Sequence, residues 1–302
     1  MSQAELCVIF NPAAGRGRAV RRLRALRGGW GARADFRPTG APGQAEELAF
    51  RAAGEGFAVV AAAGGDGTVH EVANGLLRAG RPGVTFGVIP LGSANDYAHS
   101  LAAEAADGAG GARAVDVGLV TGPGGRARYF VNSLGLGLNG AVTLESRRIR
   151  RLQGMALYGL ATLRALWYHY ACPRMTLRID GEDWQAPTLL LTVGLGRREG
   201  GFVLAPDARL GDGLFEYLHA GPLSRWEVLR FLPRLASQGP PKDHPKVRIG
   251  RCRELALVSE APLTVHLDGE FFSRPEDDVR AVQVRLLPGA LRVVRLGNEG
   301  PA

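Results

Sequence analysis

The sequence predicts an α/β region followed by a mainly β region, two domains in one chain, and three observations carry that expectation. Three short apolar runs, 5–10 (ELCVIF), 57–63 (FAVVAAA) and 84–89 (VTFGVI), are bounded by glycine or proline and read as strands. Segments with helical spacing stand between them: Val20, Leu23 and Leu26, then Ala45, Leu48 and Ala52, then Val69, Val72, Leu76 and Leu77. A chain of 302 residues also exceeds what one hydrophobic core usually organises.

Strand and helix in alternation argue for a parallel sheet in the first region. Beyond Asp116 the texture changes to turn signals and strand-like segments at 127–134, 174–180, 187–195, 213–219, 254–259, 262–268 and 280–286. One long helix is expected over 141–170 and another near 223–237. The boundaries expected are 1–118 for the α/β domain, with 287–302 packing back on it, and 119–286 for the mainly β domain. Leu291–Leu296 on its own fits either domain.

Composition excludes more than it selects. At 46% hydrophobic and 22% charged the chain is an ordinary globular protein, neither disordered nor fibrous. The longest apolar stretch, Met155–Ala171, is interrupted by Arg164 and falls short of a membrane span, and the start has neither basic n-region nor long apolar h-region, so a cytoplasmic protein is expected. Cys7, Cys172 and Cys252 form no CxxC pair and read as reduced core residues. A net charge of +8 favours a polyanionic neighbour, yet only Lys242 and Lys246 are lysines, and an arginine-coding bias accounts for the rest. No nucleic-acid motif or aromatic platform accompanies the charge, so nucleic acid is not an expected partner.

Chemistry concentrates in glycine loops. In AAAGGDGTVHEVANGL a small apolar strand runs into Gly64, Gly65, Asp66, Gly67 and Thr68 and then a helix. Missing side chains let backbone N–H groups approach a phosphate, and the helix start adds free donors at its positive end. Asp66 beside a phosphate is repulsive unless it holds a cation or accepts a hydroxyl proton. NPAAG at 11–15 and PLGSANDYA at 90–98 each follow a strand of the same region, so all three loops emerge at one carboxyl edge, with Asn11, Ser93, Asn95 and Asp96 converging on the glycines. GLGLNG at 135–140 matches a dinucleotide fingerprint, but no acid lies between Glu145 and Asp180 to hold a ribose; it reads as a turn feeding a helix, with glycines for close packing. A Walker loop is excluded because both lysines follow proline. His70 sits in the helix after the glycine loop, at a position open to a phosphate or to the surface.

These residues resemble the catalytic region of diacylglycerol kinases and their soluble bacterial relatives, a family that includes sphingosine and ceramide kinases. NPAAGRG at 11–17, GGDGTVHEVANGL from Gly64 and PLGSANDYA look like its nucleotide-side motifs, and VDVG at 115–118, YFVNSLGLG at 129–137, APDARLGDGLFE at 205–216 and LDGE at 267–270 like its second-domain motifs. The resemblance implies an α/β nucleotide domain, a β-sandwich domain and ATP in a cleft between them. It assigns ATP contacts to Asn11, Pro12, Gly15, Thr39, Gly64, Gly65, Asp66, Gly67, Thr68, Glu71, Gly92, Ser93, Asn95 and Asp96, with Asp66 helping to place Mg2+ or the phosphates. Asp212 with main-chain oxygens of Arg209 and Leu214 looks like a structural Mg2+ site. Gly211 stands where relatives often carry an acid, and Asp207 is the residue that could compensate. Asp268 or Glu270 is implied as the base that deprotonates the acceptor hydroxyl, since phosphoryl transfer needs little beyond positioning, charge neutralisation and orientation of the nucleophile.

The expected activity is therefore transfer of the γ-phosphoryl group of ATP to a lipid hydroxyl, diacylglycerol first. The alternatives are a soluble-substrate kinase of the NAD kinase type and a non-catalytic lipid- or nucleotide-binding member of the fold. The acceptor places the protein peripherally at an anionic bilayer, and Arg147, Arg148, Arg150 and Arg151 ahead of Leu152, Met155, Leu157, Leu160, Leu163 and Trp167 offer a surface for it. A homodimer completes the expected partners.

Overall fold

The computed structural model describes residues 5–17, 23, 24, 28, 30, 33–105, 111–149 and 151–296. The chain divides into two compact units, one made of residues up to Asp116 together with those from Gly289 onward, the other of Val117–Pro288.

In the first unit β1 (Leu6–Phe10), β2 (Ala34–Pro38), β3 (Val59–Gly64) and β4 (Thr85–Pro90) form a parallel sheet in the order β2-β1-β3-β4. The run VVAAAG of β3 is apolar on both faces because both are covered, as a parallel sheet requires. Helices α1 (Gln44–Glu55), α2 (Asp66–Ala79) and α3 (Asp96–Ala105) connect or follow the strands. Gly75 lets α2 approach α1 closely, since a Cβ there would run into the carbonyl of Glu46. Leu23 is buried in this core, while Val20 and Leu26 lie outside the described residues.

The chain leaves this unit along β5 (Arg113–Thr121) and re-enters it on its final strand, Ala281–Arg295. Val293, Val294 and Arg295 pair in parallel with Phe86, Gly87 and Val88, and Leu296 packs on Gly87. At the point of return the buried Asp116 accepts the N–H of Gly289 at 2.8 Å. That bond gives VDVG a structural task.

The second unit is mainly β. Its strands are β6 (Ala127–Phe130), β7 (Ser133–Gly137), β8 (Arg174–Ile179), β9 (Glu182–Pro187), β10 (Leu190–Gly194), the short pair β11 (Arg198–Glu199) and β12 (Phe202–Val203), β13 (Phe215–Ala220), β14 (Val247–Cys252), β15 (Glu254–Ser259), β16 (Val265–Leu267), β17 (Glu270–Ser273) and the first part of β18, the final strand. One sheet runs β14-β13-β10-β7-β16-β17; β9, β8, β15 and β18 pair in a second, and β5 pairs with β6. Cys7 and Cys252 are buried, which pushes both thiols up to about 12 and leaves them inert.

The single helix expected over 141–170 is two helices, α4 (Leu138–Ser146) and α5 (Gly154–Tyr168). The break has two causes: Gly154 takes a left-handed φ of 58°, and the buried Glu145 draws on residues from both helices. Its carboxylate accepts bonds from Arg148 and Arg164 at 2.6 Å each and stands 3.0 Å from His169 Nε2. Burial alone would raise this carboxyl, but its bonds to Arg164 and His169 and the charge of Arg148 hold it below the usual range. Helix α6 (Arg225–Leu235) opens with a capping box between Ser224 and Glu227. Leu138, Ala141, Ala165, Leu166, Leu223 and Val228 from the three helices and their flanks close a core against Leu189 and Ala220.

Candidate active site

In the first unit every predicted nucleotide loop leaves the carboxyl end of a parallel strand. Asn11 follows β1 and is tied to the neighbouring strand by donating its N–H to Ala63 O at 3.2 Å, while its side chain accepts from Ala13 N at 2.9 Å and folds the loop back in an Asx turn. Pro12 lies in that turn, and Gly15 takes a φ of 59°. Thr39 follows β2 and hydrogen-bonds Phe10 O through its N–H at 2.9 Å.

The glycine loop and the PLGSAND loop are built into one another. Leu91 and Gly92 donate their N–H groups to Gly64 O at 2.8 and 3.1 Å. A Cβ on Gly92 would collide with Gly65, and one on Gly64 with Thr68, so the close approach needs these glycines. Asp66 is the first residue of α2, which has no side-chain cap; it accepts the N–H of Tyr97 at 3.4 Å from the start of α3. Gly67 and Thr68 complete that first turn, Ser93 is exposed at the loop tip, and Asp96 is buried at the head of α3. Two helix starts and a glycine turn therefore share one edge, which is an anion-binding arrangement.

Two of the predicted nucleotide contacts have other work. Glu71 accepts the N–H groups of Gly43 at 2.9 Å and Ala45 at 3.0 Å, so its carboxylate caps the start of α1. Asn95, at a φ of 54°, both accepts from Gly92 N and donates to Gly92 O at 2.9 Å and so closes its own loop. His70 is neither a phosphate contact nor a surface residue: it is 2% exposed and packs beside Asn74.

In the second unit LDGE is a two-residue hairpin between β16 and β17, with Asp268 and Gly269 at φ values of 53° and 84°. This pair of left-handed residues is the turn that matches strand twist. Asp268 is 8% exposed, and its carboxylate accepts three backbone N–H groups, Val131 at 3.0 Å, Asn132 at 2.8 Å and Ser133 at 2.9 Å. Glu270 keeps a half-open side chain whose Oε2 lies 2.8 Å from Arg147 Nη2, and the same nitrogen donates to Gly269 O at 2.9 Å. Arg147, expected at a lipid surface, binds the LDGE turn, and Arg148 is held by Glu145. Arg150 lies outside the described residues.

The predicted metal turn is occupied by internal charge pairs. Asp212 Oδ1 accepts Leu214 N–H at 3.1 Å and Oδ2 stands 3.5 Å from Arg251 Nη1, while Asp207, the suggested substitute ligand, pairs with Lys242 at 2.5 Å. Among the described residues no three His, Cys, Asp or Glu side chains cluster as a metal cage. Beneath the turn Glu216 is 3% exposed; Oε2 accepts Asp207 N–H at 2.8 Å and the buried Oε1 has no hydrogen-bond partner among the described residues. The donor set at Arg209, Asp212 and Leu214, all oxygen with one carboxylate, fits a magnesium ion that keeps several of its waters, and positive charge there would offset the buried acid below it.

Burial, with Asp207 alongside, pushes the Glu216 carboxyl from 4.5 up to about 7. A raised acid penalises the folded state as pH climbs: the cost begins near 4.5, is complete above 7 and amounts to about 3 kcal/mol. Glu216→Gln keeps the acceptor for Asp207 N–H and removes the charge. In chelator its melting temperature should exceed that of the parent at pH 8, with the gain shrinking toward pH 5; equal gains at both values would contradict the assignment.

Phosphate-binding loops on the carboxyl edge of a parallel sheet, in a chain without a Walker lysine, joined to a β unit that presents a half-open acid on a rigid turn, define a phosphotransferase with an alcohol acceptor. Residues 5–120 match the diacylglycerol kinase catalytic domain, and residues 132–295 match the YegS C-terminal NAD kinase beta sandwich-like domain. A diacylglycerol kinase of Bacillus subtilis is 30% identical over 278 residues, covering 87% of this chain and 89% of the relative. One from Staphylococcus aureus is 32% identical over 239 residues, 76% of this chain and 73% of the relative. A solved diacylglycerol kinase structure from Bacillus anthracis superposes with a TM-score of 0.68 at 20% identity, over 97% of both chains. The chain belongs to the diacylglycerol kinase family.

The sequence reading missed four participants around LDGE: Arg147 as the partner of Glu270, and Asn132, Glu199 and His266 beneath the turn. One signal was available. In VHLDGE a histidine stands two residues before the aspartate, on the same face of a strand too apolar to place it in water.

Proposed function

We propose that this protein transfers the γ-phosphoryl group of ATP to the hydroxyl of diacylglycerol, giving phosphatidic acid, with Glu270 as the base. The observation that carries the mechanism is the contrast inside LDGE. Asp268 has both oxygens committed to backbone N–H groups, whereas Glu270 is half-open with one cationic neighbour. Glu270 accepts the acceptor's proton as the hydroxyl attacks, and Arg147, 2.8 Å from its Oε2, orients the carboxylate. The loops at Asn11–Gly15, Gly64–Thr68 and Gly92–Asp96 hold the ATP phosphates through backbone N–H groups. Magnesium, when bound, neutralises charge on those phosphates or steadies the turn at Asp212.

Offering labelled ATP to diacylglycerol, phosphatidylglycerol, a sphingoid base, ceramide, a polyprenol and NAD, with products identified by mass, tests the acceptor. Phosphatidic acid is the expected main product. Label on NAD alone would overturn the reading.

Peripheral binding to a bilayer is supported by the exposed apolar side chains of α5. This helix buries Ala161, Thr162, Ala165 and Leu166 yet leaves other large apolar side chains in solvent, Met155 at 51%, Leu163 at 48% and Trp167 at 74%. Trp226, at the head of α6, is 80% exposed. Among the described residues no helix is long and apolar enough to cross a membrane, and a face of this kind suits the interface. Replacing Leu163 and Trp167 together by serine should weaken sedimentation with anionic vesicles by on the order of a hundredfold. Turnover of a dissolved short-chain diacylglycerol should stay unchanged. Undiminished vesicle binding would remove this face from the membrane contact.

A further inference from the structure

We propose that His266 is a positioning residue for Glu270, holding the turn of LDGE through the backbone of Gly269 while the carboxylate of Glu199 holds its ring. The inference rests on Glu270 as the base and goes beyond it, since neither His266 nor Glu199 belongs to LDGE.

His266 is 1% exposed in β16, a position where an uncharged apolar side chain would be the ordinary choice. Its register partner in β7 is Gly135, and a Cβ there would collide with the ring at Nε2. The strand thus gives up a side chain to make room for an imidazole. On one side of the ring Nδ1 accepts the N–H of Gly269 at 3.4 Å. That bond leaves Nδ1 bare, so the proton is on Nε2. On the other side Nε2 faces Glu199 Oε1 at 3.0 Å, in polar contact with the carboxylate though out of line for a hydrogen bond.

The surroundings bind the same turn from three further directions. The carboxylate of Asp268 is gripped by the N–H groups of residues 131–133, Gly269 O accepts from Arg147, and Asn132 Nδ2 donates to Arg198 O at 2.8 Å, which ties the short strand carrying Glu199 to that segment. Glu199, His266 and Gly269 therefore form a chain of contacts that ends one residue before Glu270. A base must be held within a few tenths of an ångström and some ten degrees of its working geometry, and a two-residue glycine turn has that freedom to lose. The ring supplies the restraint that Gly269 lacks.

The amide isosteres separate the two contacts. Asn at this position places a polar atom where Nδ1 stands and keeps the link to Gly269; Gln places one where Nε2 stands and keeps the link to Glu199. With both variants in the full chain, His266→Gln should lower kcat on diacylglycerol at least thirtyfold, with KM for ATP within twofold of the parent. His266→Asn should retain at least ten times the kcat of His266→Gln, although it leaves the larger gap and melts no higher. Equal kcat in the two variants, or losses that follow melting temperature, would overturn the proposal. Should either variant fail to fold, Glu199→Gln, which leaves the ring in place, should lower kcat about tenfold at unchanged KM for ATP; an unchanged kcat overturns it as well. Glu270→Gln is measured alongside. If it turns over like the parent, the base assignment falls and the positioning role with it; if it is inactive while the isosteres are equal, only the positioning role falls.

Discussion

Asp268→Ala is expected to cost the second unit roughly 3–6 kcal/mol, because it leaves three buried backbone N–H groups of residues 131–133 without an acceptor. Stabilities of whole domains are typically about 5–15 kcal/mol, so this is a large share. At the usual 2–4 °C per kcal/mol for a unit of this size, the melting temperature should fall by about 6–24 °C. Asp268→Asn separates structure from chemistry. One amide oxygen still serves Asn132 and Ser133, but the NH2 group now opposes the N–H of Val131, so an intermediate loss is expected. Calorimetric melting of the three proteins checks the order. A fully stable Asp268→Ala protein with no turnover would return Asp268 to the reacting groups.

Glu270→Gln is expected to reduce kcat on diacylglycerol by about 10²–10⁴, the usual effect of losing a positioned base. Stability should change little, since the side chain is 40% exposed and its ion pair with Arg147 is of the solvent-reached kind. The ATP dissociation constant should stay within about twofold, because a base that acts on the acceptor hydroxyl in the transition state adds little to ground-state binding of the nucleotide. Turnover falling while nucleotide affinity holds is the signature of a group that acts in the transition state. Isothermal titration with ATP beside steady-state turnover gives both numbers on one preparation.

Much of the first unit was legible because its signals are local. Small apolar runs ending in glycine, and helical spacing between them, mark parallel strands whichever way the chain later turns, and the loops at Asn11, Gly64 and Gly92 come to one edge as a consequence. The return of Val293–Arg295 to β4 had no such signal: an apolar strand end looks alike whichever sheet it joins, and the bond from Gly289 to Asp116 spans 173 positions. The second unit hid more. Its strands β9 and β14 are rich in polar residues and half-exposed, so alternation fades there. The single helix over 141–170 failed because periodicity continues through the break, while the groups that cause it, Glu145 with Arg164 and His169, meet only in three dimensions.

The same limit explains the site. Glycines at Gly64, Gly65 and Gly92 are readable as close approaches, whereas the helix cap made by Glu71 and the loop closure made by Asn95 are not announced in the sequence. In LDGE two acids two residues apart could not be ranked from sequence. Their hydrogen bonds differ, and the proposed base rests on that difference: the carboxylate of Asp268 accepts three backbone N–H groups, while that of Glu270 lies beside Arg147. Two of the arginines before α5 have partners that the sequence does not announce, since a basic run beside apolar residues looks the same whether or not its members, like Arg147 with Glu270 and Arg148 with Glu145, also pair with a carboxylate.

The most direct test is a single-turnover experiment in which enzyme preloaded with [γ-32P]ATP is mixed with anionic vesicles containing diacylglycerol and quenched over time. Label should pass to phosphatidic acid in the parent, and at least a hundredfold more slowly in Glu270→Gln carrying the same amount of bound ATP. Equal transfer rates in the two proteins, or no transfer to the lipid by either, would contradict a diacylglycerol kinase whose base is Glu270.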